Sequence, residues 1–164
     1  MGITATTPQD VFNSFIVGIL KIIQEEIVRS FSYLGEKCVT RIRDRAGNDS
    51  WFDQTGNLRS SIGYAVVDHG RKCIESAFSI IKNGGDGAKA GKELIDNLTS
   101  LYSNTYALVV VAGMEYADYV EAMENKDVLA STELWAKSKM QEYLDKSLKR
   151  AETRISELQH KLGL

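Results

Sequence analysis

Between Phe12 and Cys38, apolar side chains recur at steps of three or four: Phe12, Phe15, Ile16, Ile19, Ile23, Ile27, Phe31, Leu34 and Cys38. A helix turns once in 3.6 residues, so this spacing predicts one long α-helix carrying a continuous apolar stripe. A stripe of that length must be covered, and the rest of the chain has to supply the cover. Thr7-Pro8 predicts the start, because Thr can cap free backbone donors and Pro at the first helical position gives up nothing. Gly35 is a place for a bend or a break, and Arg41, Arg43 and Arg45 ahead of Gly47-Asn48-Asp49 predict the end.

A second helix is expected from Ser131 or Thr132 almost to the last residue, with Leu134, Tyr143, Leu144, Leu148, Ala151, Ile155, Leu158 and Leu162 on its apolar side. Glu133 with Lys137, Glu142 with Lys146, Asp145 with Lys149 and Glu157 with Lys161 stand four apart, acid first, on its wet side. Between the helices, Ser61–Asp68 and Arg71–Ile81 are rich in Val, Ile, Tyr and Phe and meet at His69-Gly70, which predicts a hairpin. The four glycines of Asn83–Gly91 predict a mobile loop, and Leu94, Ile95, Leu98 and Leu101 predict a short helix over Lys92–Tyr102. Tyr106–Gly113, with its unbroken Leu108-Val109-Val110-Val111 run, predicts a strand buried on both faces. The outcome is an α+β fold: a long N-terminal helix, a small mostly antiparallel sheet with a short helix inserted, and a long C-terminal helix. With 164 residues and no linker or repeat, one domain over 1–164 is expected.

Twenty Lys and Arg against 22 Asp and Glu leave a formal charge of -2, so no overall basic field exists to gather nucleic acid or anionic membrane. Cys38 and Cys73 stand far apart with only His69 and His160 beside them in the inventory, which predicts no metal site and no disulfide framework. Both cysteines are expected to be small buried hydrophobes, and a reducing cytoplasm is the expected place of synthesis. The start, Met1-Gly2-Ile3-Thr4-Ala5, lacks the basic and apolar regions of a secretory signal, and no stretch approaches 18 apolar residues.

Gly84-Gly85-Asp86-Gly87-Ala88-Lys89-Ala90-Gly91-Lys92-Glu93 resembles a phosphate loop only loosely. Asp86 stands where that motif needs its first Gly, and Glu93 where it needs Ser or Thr for magnesium. Asp68 and His69 are adjacent, and neighbours on an extended segment point apart, which argues against a base with its orienting carboxylate. Arg41, Arg43 and Arg45 form the one local basic cluster. It reads either as a solvated helix end complementing the dipole or as a contact to a neighbouring subunit's carboxylates or to DNA phosphates.

Two segments remain: Asp53-Gln54-Thr55-Gly56-Asn57-Leu58-Arg59-Ser60-Ser61-Ile62 and Met114-Glu115-Tyr116-Ala117-Asp118-Tyr119-Val120-Glu121. Thr55 can cap a short helix from Gly56 to Ser60, with Leu58 and Ile62 turned inward for stability. Tyr116, Tyr119 and Val120 read as core or as aromatic interface contacts. In combination the segments resemble the tail-completion or head–tail joining proteins of tailed bacteriophages with HK97-like heads, in which a T-G-x-L-x-x-S-I segment enters one strand and a Y-A-x-Y-V-E segment follows another. The matching residues are Thr55, Gly56, Leu58, Ser61 and Ile62, then Tyr116, Ala117, Tyr119, Val120 and Glu121. The family commonly continues with Gly-Thr and later Pro-Phe, where this chain has Ala122-Met123 and then Lys126-Asp127-Val128-Leu129-Ala130.

The resemblance implies a structural virion protein without catalytic activity or cofactor, one subunit of a ring at the neck between head and tail. Its implied partners are copies of itself, a portal-side adaptor and tail or tail-tube proteins. DNA would pass through without sequence-specific binding, and no membrane is involved. A ring needs one patch to fit a different patch on the next copy, and the amphipathic first and last helices are candidates for that contact. The alternative is a cellular protein-binding adaptor with no viral role.

Overall fold

The computed structural model describes residues 8–45, 51–122 and 127–164. Its elements run α1 (Gln9–Asp44), α2 (Asn57–Ser60), β1 (Ile62–Asp68), β2 (Arg71–Glu75), α3 (Gly85–Thr99), a 3-10 turn (Ser100–Tyr102), β3 (Tyr106–Ala112), α4 (Ala117–Ala122) and α5 (Ala130–Leu162). The fold is α+β, with an antiparallel sheet ordered β2-β1-β3 between two long helices. Thr7, the expected cap, lies outside the described residues, and the Pro8 carbonyl accepts the first helical bond from Phe12 at 3.1 Å. The contacts group the chain into two compact units, Phe31–Gln141 and the pair of segments Met1–Ser30 with Glu142–Leu164.

In the first of these units β1 is central, and all seven of its residues are buried. Strand residues alternate faces, so Ala65 and Val67 join Val109 and Val111 of β3 on one side. There they meet Phe78 and, from α3, Ala88 and Ile95. On the other side the Tyr64 ring lies where a side chain at position 35 of α1 would stand. Gly35 therefore admits the sheet, and α1 runs through it unbroken. The strand covered on both faces is β1; β3, expected in that role, is an edge strand and only partly buried.

The hairpin turn is made by His69 and Gly70, both at positive φ (47° and 78°), the pairing that matches strand twist. The expected second strand, Arg71–Ile81, stops at Glu75. Beyond it Ser76 Oγ accepts the Tyr64 N–H at 2.9 Å, Phe78 turns into the core, and the Ile81 N–H donates to Ser60 Oγ at 2.8 Å. Cys73 stands exposed on this outer strand, contrary to expectation, whereas Cys38 is buried and burial pushes its thiol up to about 11.

The glycine-rich segment is helix. Gly weakens an isolated helix by about 1 kcal/mol per residue, which is why the local sequence reads as a loop. Tertiary contact reverses that preference, because a Cβ at Gly87 would overlap the Asn57 carbonyl, and one at Gly91 would overlap the Phe78 ring and the Ser61 carbonyl. With Gly84, against which Ser60 and Gly56 pack, these positions form one smooth face through which α3 approaches α2 and β1.

In the other unit, the N-terminal part of α1 packs on the C-terminal part of α5. Leu158 fills the space above Gly18, and Ile22 and Ala151 are buried. The buried face continues through two polar residues, Glu26 and Ser30. Arg150 Nε donates to Glu26 Oε2 at 2.6 Å and Arg154 Nη1 to Oε1 at 3.0 Å, while Ser147 Oγ donates to the Glu26 carbonyl at 2.9 Å and pairs with Ser30 Oγ. Phe12, Ile16 and Ile23, placed by periodicity on the inner stripe, are exposed, as are Leu134 and Leu148 of α5. This stretch of α1 is apolar on more than one side, so spacing alone does not choose which side packs. The expected surface pairs Glu133–Lys137 and Glu142–Lys146 form at 2.5 and 2.7 Å.

Two tests follow from this packing. Gly87→Ala forces the Asn57 backbone away and should cost about 1–3 kcal/mol, whereas Gly85→Ala, with open space around it, should be neutral or stabilise by about 0.4–1 kcal/mol, both read from urea midpoints. Burial pushes the Glu26 carboxyl up, but Arg150 and Arg154 outweigh it and hold it below the ordinary range. A depressed carboxylate contributes stability that is present above its unfolded pKa near ~4.3 and is lost as pH falls through the folded value. Unfolding measured from pH ~6 downward should show that loss, and Glu26→Gln should flatten it while lowering stability at neutral pH by about 1–3 kcal/mol.

Candidate assembly surface

The first motif segment folds into a tight polar turn. Asp53 accepts the Gly56 N–H (3.0 Å) with one carboxylate oxygen and the Arg59 N–H (3.2 Å) with the other, and Thr55 Oγ1 accepts the Asn57 N–H at 3.2 Å. Thr55 thus shares the capping with Asp53, whose spacing three residues before Gly56 is the usable signal for such a turn. Gly56 is left-handed at φ 88° and lies against the Ile81 carbonyl, so no other residue fits. Leu58 and Ile62 are buried, and Ser61 Oγ donates to the Leu58 carbonyl at 2.8 Å. These residues hold the entry into β1.

The second motif segment forms the start of α4 and comes to rest on the first. Tyr116 hydrogen-bonds with the Thr55 side chain and the Leu58 backbone; burial and the nearby Asp53 charge together raise its hydroxyl pKa. Thr55 and Leu58 of the first segment and Tyr116 and Val120 of the second, more than 50 positions further along the chain, line one groove of about 360 Å³ with Phe52 and Asp53. Ala117 is buried beneath it. Tyr119 is 68% exposed and Phe52 70% exposed, with the Lys82 ammonium 6.0 Å from the Phe52 ring.

Glu121 closes the segment with a structural task. Its Oε2 accepts the N–H groups of Val128 (2.8 Å) and Leu129 (2.7 Å), and its Oε1 that of Ala130 (2.9 Å), so one carboxylate satisfies three donors at the start of α5. The departure from the family pattern falls here; residues 123–126 lie outside the described part. Asp127 Oδ1 accepts the Ser131 N–H at 3.1 Å, and its other oxygen meets Arg45 Nη1 at 2.5 Å. Burial raises the Asp127 carboxyl pKa, but the Ser131 bonds and the Arg45 charge overcome this and lower it.

The three arginines do not form a shared basic patch. Arg45 also bonds Ser131 and, at 3.1 Å, Thr132 Oγ1, tying the end of α1 to the start of α5. Arg43 Nη2 donates to the Ile62 carbonyl at 2.7 Å, and the Arg41 guanidinium lies 5.5 Å from the Trp135 ring. The helix ends at Asp44, close to where the arginines and Gly47 place it, and each of the three side chains makes a contact within its own unit.

His69 Nδ1 does meet Asp68 Oδ1, at 2.5 Å, because the left-handed turn swings the ring back. The expectation that the two point apart fails for that reason. The exposed ring rests edge-on against Tyr106, with centroids 5.3 Å apart. Among the described residues no group of three His, Cys, Asp or Glu is arranged to hold a metal ion, and no helix is long and apolar enough to cross a membrane. The other prominent surface belongs to α1: residues 11–20 carry no charge, and Phe12, Ile16, Val17, Leu20 and Ile23 are exposed.

No protein-family model, no curated protein and no solved structure matches this chain.

Glu121→Ala should release the start of α5 and lower stability by about 1–2 kcal/mol, with faster amide exchange at Val128, Leu129 and Ala130. Exchange confined to those amides, with the sheet unaffected, distinguishes a lost cap from general unfolding.

Proposed function

We propose that the chain is a structural subunit of the neck of a tailed bacteriophage, joining head to tail in a ring of identical copies around the DNA channel. The observation that carries this reading is the convergence of the two motif segments on one groove, which the exposed Phe52 also lines. Each segment alone is short, and their meeting in space gives a physical reason for both to occur in one chain. The order of elements, a long first helix, a central sheet and a long final helix, resembles that of the family.

Two further features support it. A closed ring requires two unlike surfaces on each subunit, and the chain offers an uncharged apolar helix face on α1 and an aromatic groove beside α2 and α4. Both are rich in the large apolar side chains that dominate protein interfaces. The role is contact without catalysis, its partners being copies of the chain, a portal-side adaptor and tail or tail-tube proteins, with DNA in passage.

An antibody against the chain, applied to particles released from cells carrying its gene in native context, should label the vertex where tail meets head. Label confined to cell extract, with none on any particle, overturns the reading and favours the cellular adaptor. Tyr119→Ala should weaken assembly into particles about 30-fold or more while leaving the unfolding free energy within about 0.5 kcal/mol, since the side chain is exposed in the isolated subunit.

A further inference from the structure

Near its start α1 carries an acid and a base with only uncharged residues, 11–20, between them: Asp10 and Lys21. Gly18 and Glu26 turn toward α5, where they meet Leu158 and Arg154. At 3.6 residues per turn Ile16, Val17 and Leu20 therefore fall on the opposite side, where they are exposed, and Phe12 and Ile23 lie along one edge of that face. Asn13, a polar side chain within the face, accepts the Gln9 Nε2–H at 3.1 Å.

The spacing of the two charges, 11 residues, is close to three whole turns, so both project from the other edge of the face, beside Val17. Both are exposed. Glu25 lies 3.9 Å from the Lys21 ammonium but is engaged at 2.5 Å by Arg154, so Lys21 has no close partner of its own chain. The strip thus has an acid at one end of its edge and a base at the other. A two-fold axis across the helix brings such an edge against itself in reverse. Asp10 of each copy then stands opposite Lys21 of the other.

We infer that this face of α1 is covered by the same face of a second copy, the two helices running antiparallel about an axis beside Ile16. Charge complementarity selects both the occupant and its direction. Phe12 packs against Leu20 of the second copy, Ile16 meets its own counterpart, and two Asp10–Lys21 pairs close the edge. A parallel pair puts the charged edges on opposite sides of the contact and forms neither ion pair. Exposed ion pairs add little affinity, so they fix the direction while the apolar strip supplies the attraction. Because one patch meets itself, association closes at two copies. The inference does not rest on the neck role; within that role the pair is a state of the free subunit that opens before α1 meets a neighbour in the ring.

Sedimentation of the purified full chain from about 1 μM to about 1 mM should show a monomer passing into a dimer. Asp10→Lys and Lys21→Asp should each weaken the dimer about tenfold, because each substitution creates two like-charge pairs. Mixing the two variants should restore association, since the lysines of one copy then meet the aspartates of the other, and both substitutions in one chain should restore it as well. Leu20→Lys should leave a monomer throughout with an unchanged thermal midpoint, since the side chain is exposed in the isolated subunit. A monomer at every concentration, a species larger than two copies, single variants that associate like the unaltered chain, or variants that stay apart when mixed overturns the inference.

Discussion

Everything in the larger unit is organised around covering β1. A strand buried along its whole length must have both faces packed and both sets of backbone groups paired, and the chain meets each demand with a different element. β2 and β3 take the two edges. The close approach of the helices requires that side chains be absent at the points of contact: Gly35 admits Tyr64 to α1, and Gly84, Gly87 and Gly91 admit α2 and β1 to α3. Glycine serves here as a packing surface, and its cost in helix propensity is outweighed by the apolar area that the approach buries.

Much of this was legible in the chain itself. The hairpin at His69-Gly70, the entry of β1, the third strand and the long terminal helix all follow from local rules that the tertiary structure obeys. The failures have a common cause. Asn83–Gly91 reads as loop because its preference for helix appears only against Asn57 and Phe78, which are remote in sequence. The burial of Glu26 and Ser30 has no local signal, because the arginines that make it tolerable lie more than 100 residues away. Phe12 and Ile23 read as part of the packed stripe because nothing local distinguishes an exposed apolar face from a packed one.

The candidate site divides in the same way. Gly56, Leu58 and Ile62 had a legible structural role, since a left-handed Gly and inward apolar residues are local features. The capping by Glu121 and the anchoring by Arg45 were not legible, because each depends on where α5 begins in space. Together they show why acidic and basic side chains left unassigned by local sequence need not be free. The carboxylate and guanidinium groups that look available for a neighbour are consumed in fixing one helix end, and the uncommitted side chains are aromatic and aliphatic.

Cys73 carries a practical consequence. Of the two thiols, one is sealed in the interior with its acidity suppressed, and the other stands on the outside of the strand farthest from β3. The native chain thus comes with a single accessible anchor for a fluorophore or spin label, so labelling can begin without engineering a cysteine background.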